Sequence, residues 1–226
     1  MFREFFMTEL NTTATMPQIL TDIVEALKKA KLTMSENVEG EGRGGSLKDE
    51  GTIKRWLMSH SKFEKYVKDI GARKAGDILV KDYNSNTYYV VNIKTSAGSS
   101  DNATSMVGFL YAFTNMTYDE LPSSITLKKF YDLLMNRRAD ILHKDYYYLC
   151  VDKKDSENVI CRGAKQINYW IENANPSNKL QINWAKEKFK PPVNRTYDEA
   201  YEVIIHGIVR CLQKAYDNIP NQWKPK

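Results

Sequence analysis

The sequence predicts a single mixed α/β domain, and three observations predict it. Apolar residues recur at helical spacing in several separate stretches. Two runs rich in β-branched and aromatic residues flank a short turn-rich segment. The apolar fraction of 42% and charged fraction of 27% are those of an ordinary globular chain. At 226 residues the chain is long enough to bury a sizeable core.

The first helix is predicted from Pro17 to Leu32, where Ile19, Leu20, Ile23, Val24 and Leu27 fall on one face and Pro17 stands at the start. That face is buried in the core or in a dimer. Glu39 to Gly45 is a glycine-rich segment suited to a connector or a ligand-facing loop, and residues 1–45 are taken together as an N-terminal helical region that serves dimerisation and faces DNA. No Gly-Lys-Ser/Thr follows, which excludes a P-loop. A second helical stretch is predicted from Leu47 to Ile70, broken near Ser59-His60-Ser61, with Ile53, Trp56, Leu57, Phe63, Tyr66, Val67 and Ile70 inward.

Asp77 to Val80 and Tyr88 to Lys94 then read as a β-hairpin around Tyr83-Asn84-Ser85-Asn86. A polar loop from Thr95 to Thr104 leads to an apolar helix at Met106 to Phe113, and another helix is expected over Thr126 to Arg138. Tyr146 to Val151, Asn158 to Arg162 and Leu180 to Trp184 read as strands. In the last helix Thr196-Tyr197-Asp198-Glu199 has the form of a capping box, ahead of a stripe of Tyr201, Ile204, Ile205, Ile208, Val209 and Leu212.

The net charge of +5 suits a polyanionic partner, although many proteins that bind no nucleic acid are as basic. Cys150, Cys161 and Cys211 lack metal-ligand spacing and suggest a reducing compartment. No stretch approaches the roughly 20 apolar residues of a membrane span, and charge interrupts the N-terminus too early for a signal peptide. A cytoplasmic protein without a membrane partner is expected. His60, His143 and His206 are scattered, so Ser-His-Asp and zinc chemistry have no spacing support; His206 falls within the apolar stripe.

The hairpin carries the chemistry. Side chains alternate along a strand, so Asn92 and Lys94 share a face, and opposed residues of an antiparallel pair share one too. A two-residue turn at Asn84-Ser85 sets Asp77 opposite Asn92, and one at Ser85-Asn86 sets it opposite Lys94; an odd turn or a bulge sends Asp77 to the other face. In either even register the trio suits Mg²⁺, a hard cation that takes oxygen ligands, with Asp77, the Asn92 side-chain oxygen and the Ile93 carbonyl as protein donors. Lys94 is then placed to hold an attacking water and offset charge on a phosphate. A solvated polar hairpin face accounts for the same spacing. Against it, Val90, Val91 and Ile93 make the strand apolar on both sides, and polar groups on such a strand need partners.

Gly76-Asp77-Ile78-Leu79-Val80 followed by Val90-Val91-Asn92-Ile93-Lys94-Thr95 resembles the catalytic hairpin of PD-(D/E)xK nucleases, type II restriction endonucleases in particular. Ile182-Asn183-Trp184-Ala185 and Asn194-Arg195-Thr196 are similar to the C-terminal region of the HincII/EcoRV-like branch. The resemblance runs discontinuously from Asp77 to Tyr216, and the N-terminal third matches in outline only. It implies a restriction-endonuclease-like core, a central mixed β-sheet flanked by helices. It also implies a Mg²⁺-dependent homodimer that cuts double-stranded DNA at a palindromic site and leaves blunt ends. Asp77, Asn92 and Lys94 take the places of the two acidic ligands and the lysine. Gly76 replaces the usual proline and Asn92 replaces a carboxylate, so metal affinity should fall unless another acid compensates. Several relatives take a compensating acid from the upstream helix, and Glu50, with Glu64 behind it, is the candidate here, although a solvated helix-face role suits each of them alone better. Ser96, Ser99, Asn102, Asn194 and Arg195 are candidate DNA contacts, Asn suiting adenine and Arg suiting guanine or phosphate; Asn194 and Arg195 equally suit a role in positioning Thr196 as a cap. The alternatives are a non-catalytic DNA-binding domain on a nuclease scaffold, or a repair-type nuclease.

Overall fold

The computed structural model describes residues 15–35, 42–71, 75–96, 105–141, 144–172 and 180–224. They form a mixed α/β fold. Its helices are α1 (Gln18–Ala30), α2 (Gly42–Ser59), α3 (Met106–Phe113), α4 (Leu127–Asn136), α5 (Trp184–Glu187) and α6 (Tyr197–Asp217). Its strands are β1 (Val67–Asp69), β2 (Ile78–Lys81), β3 (Tyr88–Ser96), β4 (Tyr146–Asp152), β5 (Val159–Gly163), β6 (Trp170–Glu172) and β7 (Leu180–Ile182).

Strands β1 to β5 lie side by side in chain order, and β6 and β7 make a separate two-stranded sheet. All neighbours are antiparallel except β3 and β4, which run parallel with Asn92 beside Tyr148 and Lys94 beside Cys150. A parallel pair needs a long crossover; α3 and α4 supply it. Strand β4 is buried along its whole length, as expected of a central strand covered on both faces.

The alternation of side chains splits the interior into two cores. Ile78, Val80, Val91, Ile93, Tyr147, Leu149 and Val151 pack under α1 and α2 with Ile19, Leu20, Ile23, Leu27, Ile53 and Leu57. On the other face Val90, Tyr146, Tyr148 and Cys150 pack against α3, α4 and α6. The α1 stripe is thus buried within its own chain. Burial of such side chains is the main stabilising term, about 1.5–3 kcal/mol for each large apolar one. Helix α6 has the expected capping box: Thr196 Oγ1 accepts from Glu199 N at 3.2 Å and Glu199 Oε2 accepts from Thr196 N at 2.8 Å.

Several expected boundaries differ. Helix α2 begins at Gly42, so the part of the glycine-rich segment that is described is helical, and it stops at Ser59. A turn buries Phe63, and Val67–Asp69 is an edge strand on β2 rather than helix, because pairing outweighs a short helical pattern. Strand β3 continues to Ser96, held by β4 as far as Asp152. Strand β7 ends at Ile182, since the Asn183 side chain caps Lys186 N and starts α5. In α6, His206 and Val209 face solvent, and the buried stripe is Tyr201, Ile204, Ile208 and Cys211. No helix among the described residues is long and apolar enough to cross a membrane.

Candidate active site

The hairpin adopts an even register, with Ile78 opposite Val91 and Lys81 opposite Tyr88, and Asp77 stands immediately before β2. The connection closes with Asp82 N donating to Thr87 O at 2.9 Å. At Asp77 the ladder ends in an unusual way. Its N–H donates to Val91 O at 2.9 Å, and its carboxylate Oδ2 accepts the Ile93 N–H at 2.7 Å. The side chain takes the bond that a further β2 carbonyl would have taken, so Asp77 is fixed to β3 at two points. The Ile93 carbonyl leaves the strand on the same edge as its N–H.

Asn92 projects on the face of Val90 and Tyr146. Its Nδ2 donates to the Tyr146 hydroxyl at 2.8 Å, whereas its Oδ1 is buried without a hydrogen-bond partner. A buried acceptor left unsatisfied costs about 1–3 kcal/mol, so this oxygen is set up for something other than protein. Lys94, one alternation further on, has its Nζ 3.1 Å from Glu50 Oε1. Glu50 precedes Ile53 and Leu57 by three and seven positions on α2, which sets it on the rim of the helix face packed on the sheet. Next to it, Asp49 is buried in an ion pair with Lys153 at 2.8 Å and accepts from Ser35 N and Oγ at 2.7 and 2.8 Å.

Burial pushes the Asp77 carboxyl above the usual range, and this outweighs the pull of the Lys94 ammonium, the Ile93 N–H and Lys54. Tyr146 moves upward as well, through burial first and the nearby Asp77 charge second. Asp77 thus lies within electrostatic reach of both the Lys94 ammonium and the Tyr146 hydroxyl.

The donors present fit an oxygen-ligated divalent cation in kind: a carboxylate, the orphaned Asn92 Oδ1 and a main-chain carbonyl. Among the described residues no group of three or more His, Cys, Asp or Glu side chains is arranged to hold a metal. The arrangement is one negative charge short of a two-carboxylate site, with Glu50 close by but paired to Lys94.

The other expected residues are placed differently. Ser96 is the last residue of β3 and only 6% exposed, in the sheet rather than in a loop. Ser99 and Asn102 lie outside the described residues. Asn194 is exposed, while Arg195 Nη1 donates to the carbonyls of Ile167 at 2.6 Å and Lys165 at 3.4 Å and so ties the start of α6 to the turn after β5. Glu64 is exposed on the turn after α2. Sequence reasoning missed Tyr146 and the Asp49–Lys153 pair. The alternation of Tyr146, Tyr147 and Tyr148 marked a buried strand without saying which hydroxyl would meet Asn92. A cleft of about 450 Å³ near Tyr88, Tyr111, Tyr118 and Lys144 is lined by none of Glu50, Asp77, Asn92 or Lys94. No protein-family model matches the chain, and neither does any curated protein.

Proposed function

We propose that the chain is a Mg²⁺-dependent endodeoxyribonuclease of the type II restriction class. The observation that carries this reading is the convergence of Asp77, the unpartnered Asn92 Oδ1 and Lys94 at one end of β3, with Glu50 against the lysine. Mg²⁺, when bound, lowers the pKa of a coordinated water and shields the charge of a scissile phosphate. Asp77 supplies the one full negative charge for the cation, and Asn92 Oδ1 and the Ile93 carbonyl supply neutral oxygens. The Ile93 N–H holds the carboxylate in place, which limits its reorganisation during reaction. Lys94 orients the attacking water and offsets charge that builds on the phosphate; Glu50 holds the ammonium until substrate arrives.

The resemblance of the hairpin and of the C-terminal region to restriction endonucleases adds the finer terms. These are a homodimer on a palindromic site, one strand cut by each subunit, and blunt ends. The charge missing at Asn92 favours a second reading, a DNA-binding domain without catalysis.

Incubation of supercoiled plasmid with the protein in Mg²⁺ or EDTA separates the readings. Discrete, Mg²⁺-dependent fragments support restriction, a smear supports a less specific nuclease, and retarded but intact plasmid supports the binder. Lys94→Ala is expected to lower cleavage about 10²–10³-fold while DNA retardation persists. Cleavage by that variant at the parent rate would remove Lys94 from the mechanism.

A further inference from the structure

We infer that Tyr146 is a positioning residue for Asn92: its hydroxyl holds the carboxamide by the nitrogen and thereby leaves Oδ1 as the end presented to a cation. This inference rests on the proposed metal site and adds to it a residue outside the metal-ligand set.

The two ends of a carboxamide have nearly the same shape and opposite chemistry. With oxygen outward Asn92 is a metal ligand; with NH₂ outward it presents donor hydrogens to a cation and repels it. A carboxylate at this place has two equivalent oxygens and needs no such control. An asparagine does, and Tyr146 provides it by accepting from Nδ2 at 2.8 Å. The tyrosine is well suited to be a fixed reference. It is 0% exposed, beyond the reach of a DNA substrate, and it packs edge-to-face on Tyr148 with centroids 5.1 Å apart. Its ring also lies against Gly108 of α3, where a Cβ would come within 2.9 Å of ring carbons. Asp145 Oδ1 accepts the Tyr146 N–H at 2.7 Å and anchors the backbone. A chain of support therefore runs from Gly108 through the Tyr146 ring to the amide nitrogen, and it leaves the buried Oδ1 as the only end of Asn92 for a ligand.

The test is a double-mutant cycle read by direct binding of Mn²⁺ in calorimetry, without DNA. The proteins are the parent, Tyr146→Phe, Asn92→Asp and the double variant. Tyr146→Phe is expected to weaken Mn²⁺ binding about tenfold in the parent, as for loss of one orienting hydrogen bond. In the Asn92→Asp background the same change should alter affinity less than about twofold, because no end of the side chain needs selecting. Equal weakening in both backgrounds means that Tyr146 is merely structural and overturns its positioning role, as does no weakening in either. Failure of all four proteins to bind Mn²⁺ overturns the metal site and this inference with it. Should Tyr146→Phe not fold, NMR of the parent decides: on addition of Mg²⁺ the Asn92 carbonyl carbon should shift while the Nδ2 protons stay protected from exchange. Loss of that protection would contradict a tyrosine-held nitrogen.

Discussion

At Gly76 the backbone takes a φ of +89°, and a Cβ there would come 2.8 Å from Val90 Cγ1 and 3.0 Å from Val91 O. Proline, with φ near −65°, cannot occupy this place. Glycine at this position is therefore demanded by the turn that delivers Asp77 to Ile93. Gly76→Ala should cost about 1–2 kcal/mol of stability and weaken Mn²⁺ binding, readable by urea titration and calorimetry. Asp77 itself is held at a cost. Its pKa is raised from 3.8, so the folded protein binds the proton more tightly than the unfolded chain does. The ionised form thus weakens the fold at neutral pH, and the deficit disappears as pH falls through the raised value toward 3.8. Asp77→Asn is expected to lose Mn²⁺ binding while melting at or above the parent temperature at pH 7, with the difference closing in that acid window. A lower melting temperature at pH 7 would show that the carboxylate stabilises the fold instead. Proton competition for Asp77 should weaken Mn²⁺ binding over the same range.

Among the elements, α2 is placed by polar as well as apolar contacts. Ile53 and Leu57 press it on the sheet, and the Asp49–Lys153 pair, with side chains 3% and 6% exposed, ties it to the turn between β4 and β5. Burial pushes the Asp49 carboxyl upward, but Lys153 and the two Ser35 donors outweigh it and hold the group below the usual range. Its contribution to stability is present above the unfolded pKa near 3.8 and is lost as pH falls through the depressed value, the reverse of Asp77. Lys153→Met leaves Asp49 charged and buried, and should destabilise by about 3–5 kcal/mol in urea titration. It should also loosen Glu50 from Lys94, seen as a further loss of cleavage. Strand β3 shows how local pattern and element placement combine. Alternation brings Asn92 and Lys94 to one face, while pairing with β4 puts Tyr146 beside Val90, from where its hydroxyl reaches Asn92.

On the scale of the molecule, two helical layers enclose one sheet, and the site lies at the end of β3 between them. The α1 stripe is consumed in the layer that also contains α2. Ile19→Ala should therefore cost about 2–5 kcal/mol in stability, with no change in Mn²⁺ affinity or in the mass found by sedimentation. A fall in mass would instead put α1 in a subunit interface. The opposite layer, built on α3, α4 and α6, contains the support for Tyr146.

The elements that depend on local forces were legible in the residues: α1, α3 and α6, the α6 cap, and the even register of the hairpin. Helical and strand periodicities record which face of an element is buried, and turn length sets pairing parity. Contacts between distant segments leave no such record. The bonds of Asn92 to Tyr146 and of Lys94 to Glu50 join residues 54 and 44 positions apart. Strand β1 exists because β2 offers an edge to pair with, and Ser96 is buried because β4 runs beside it. Those outcomes follow from the order of strands and the packing of layers, where the partners of a side chain are set by the whole molecule.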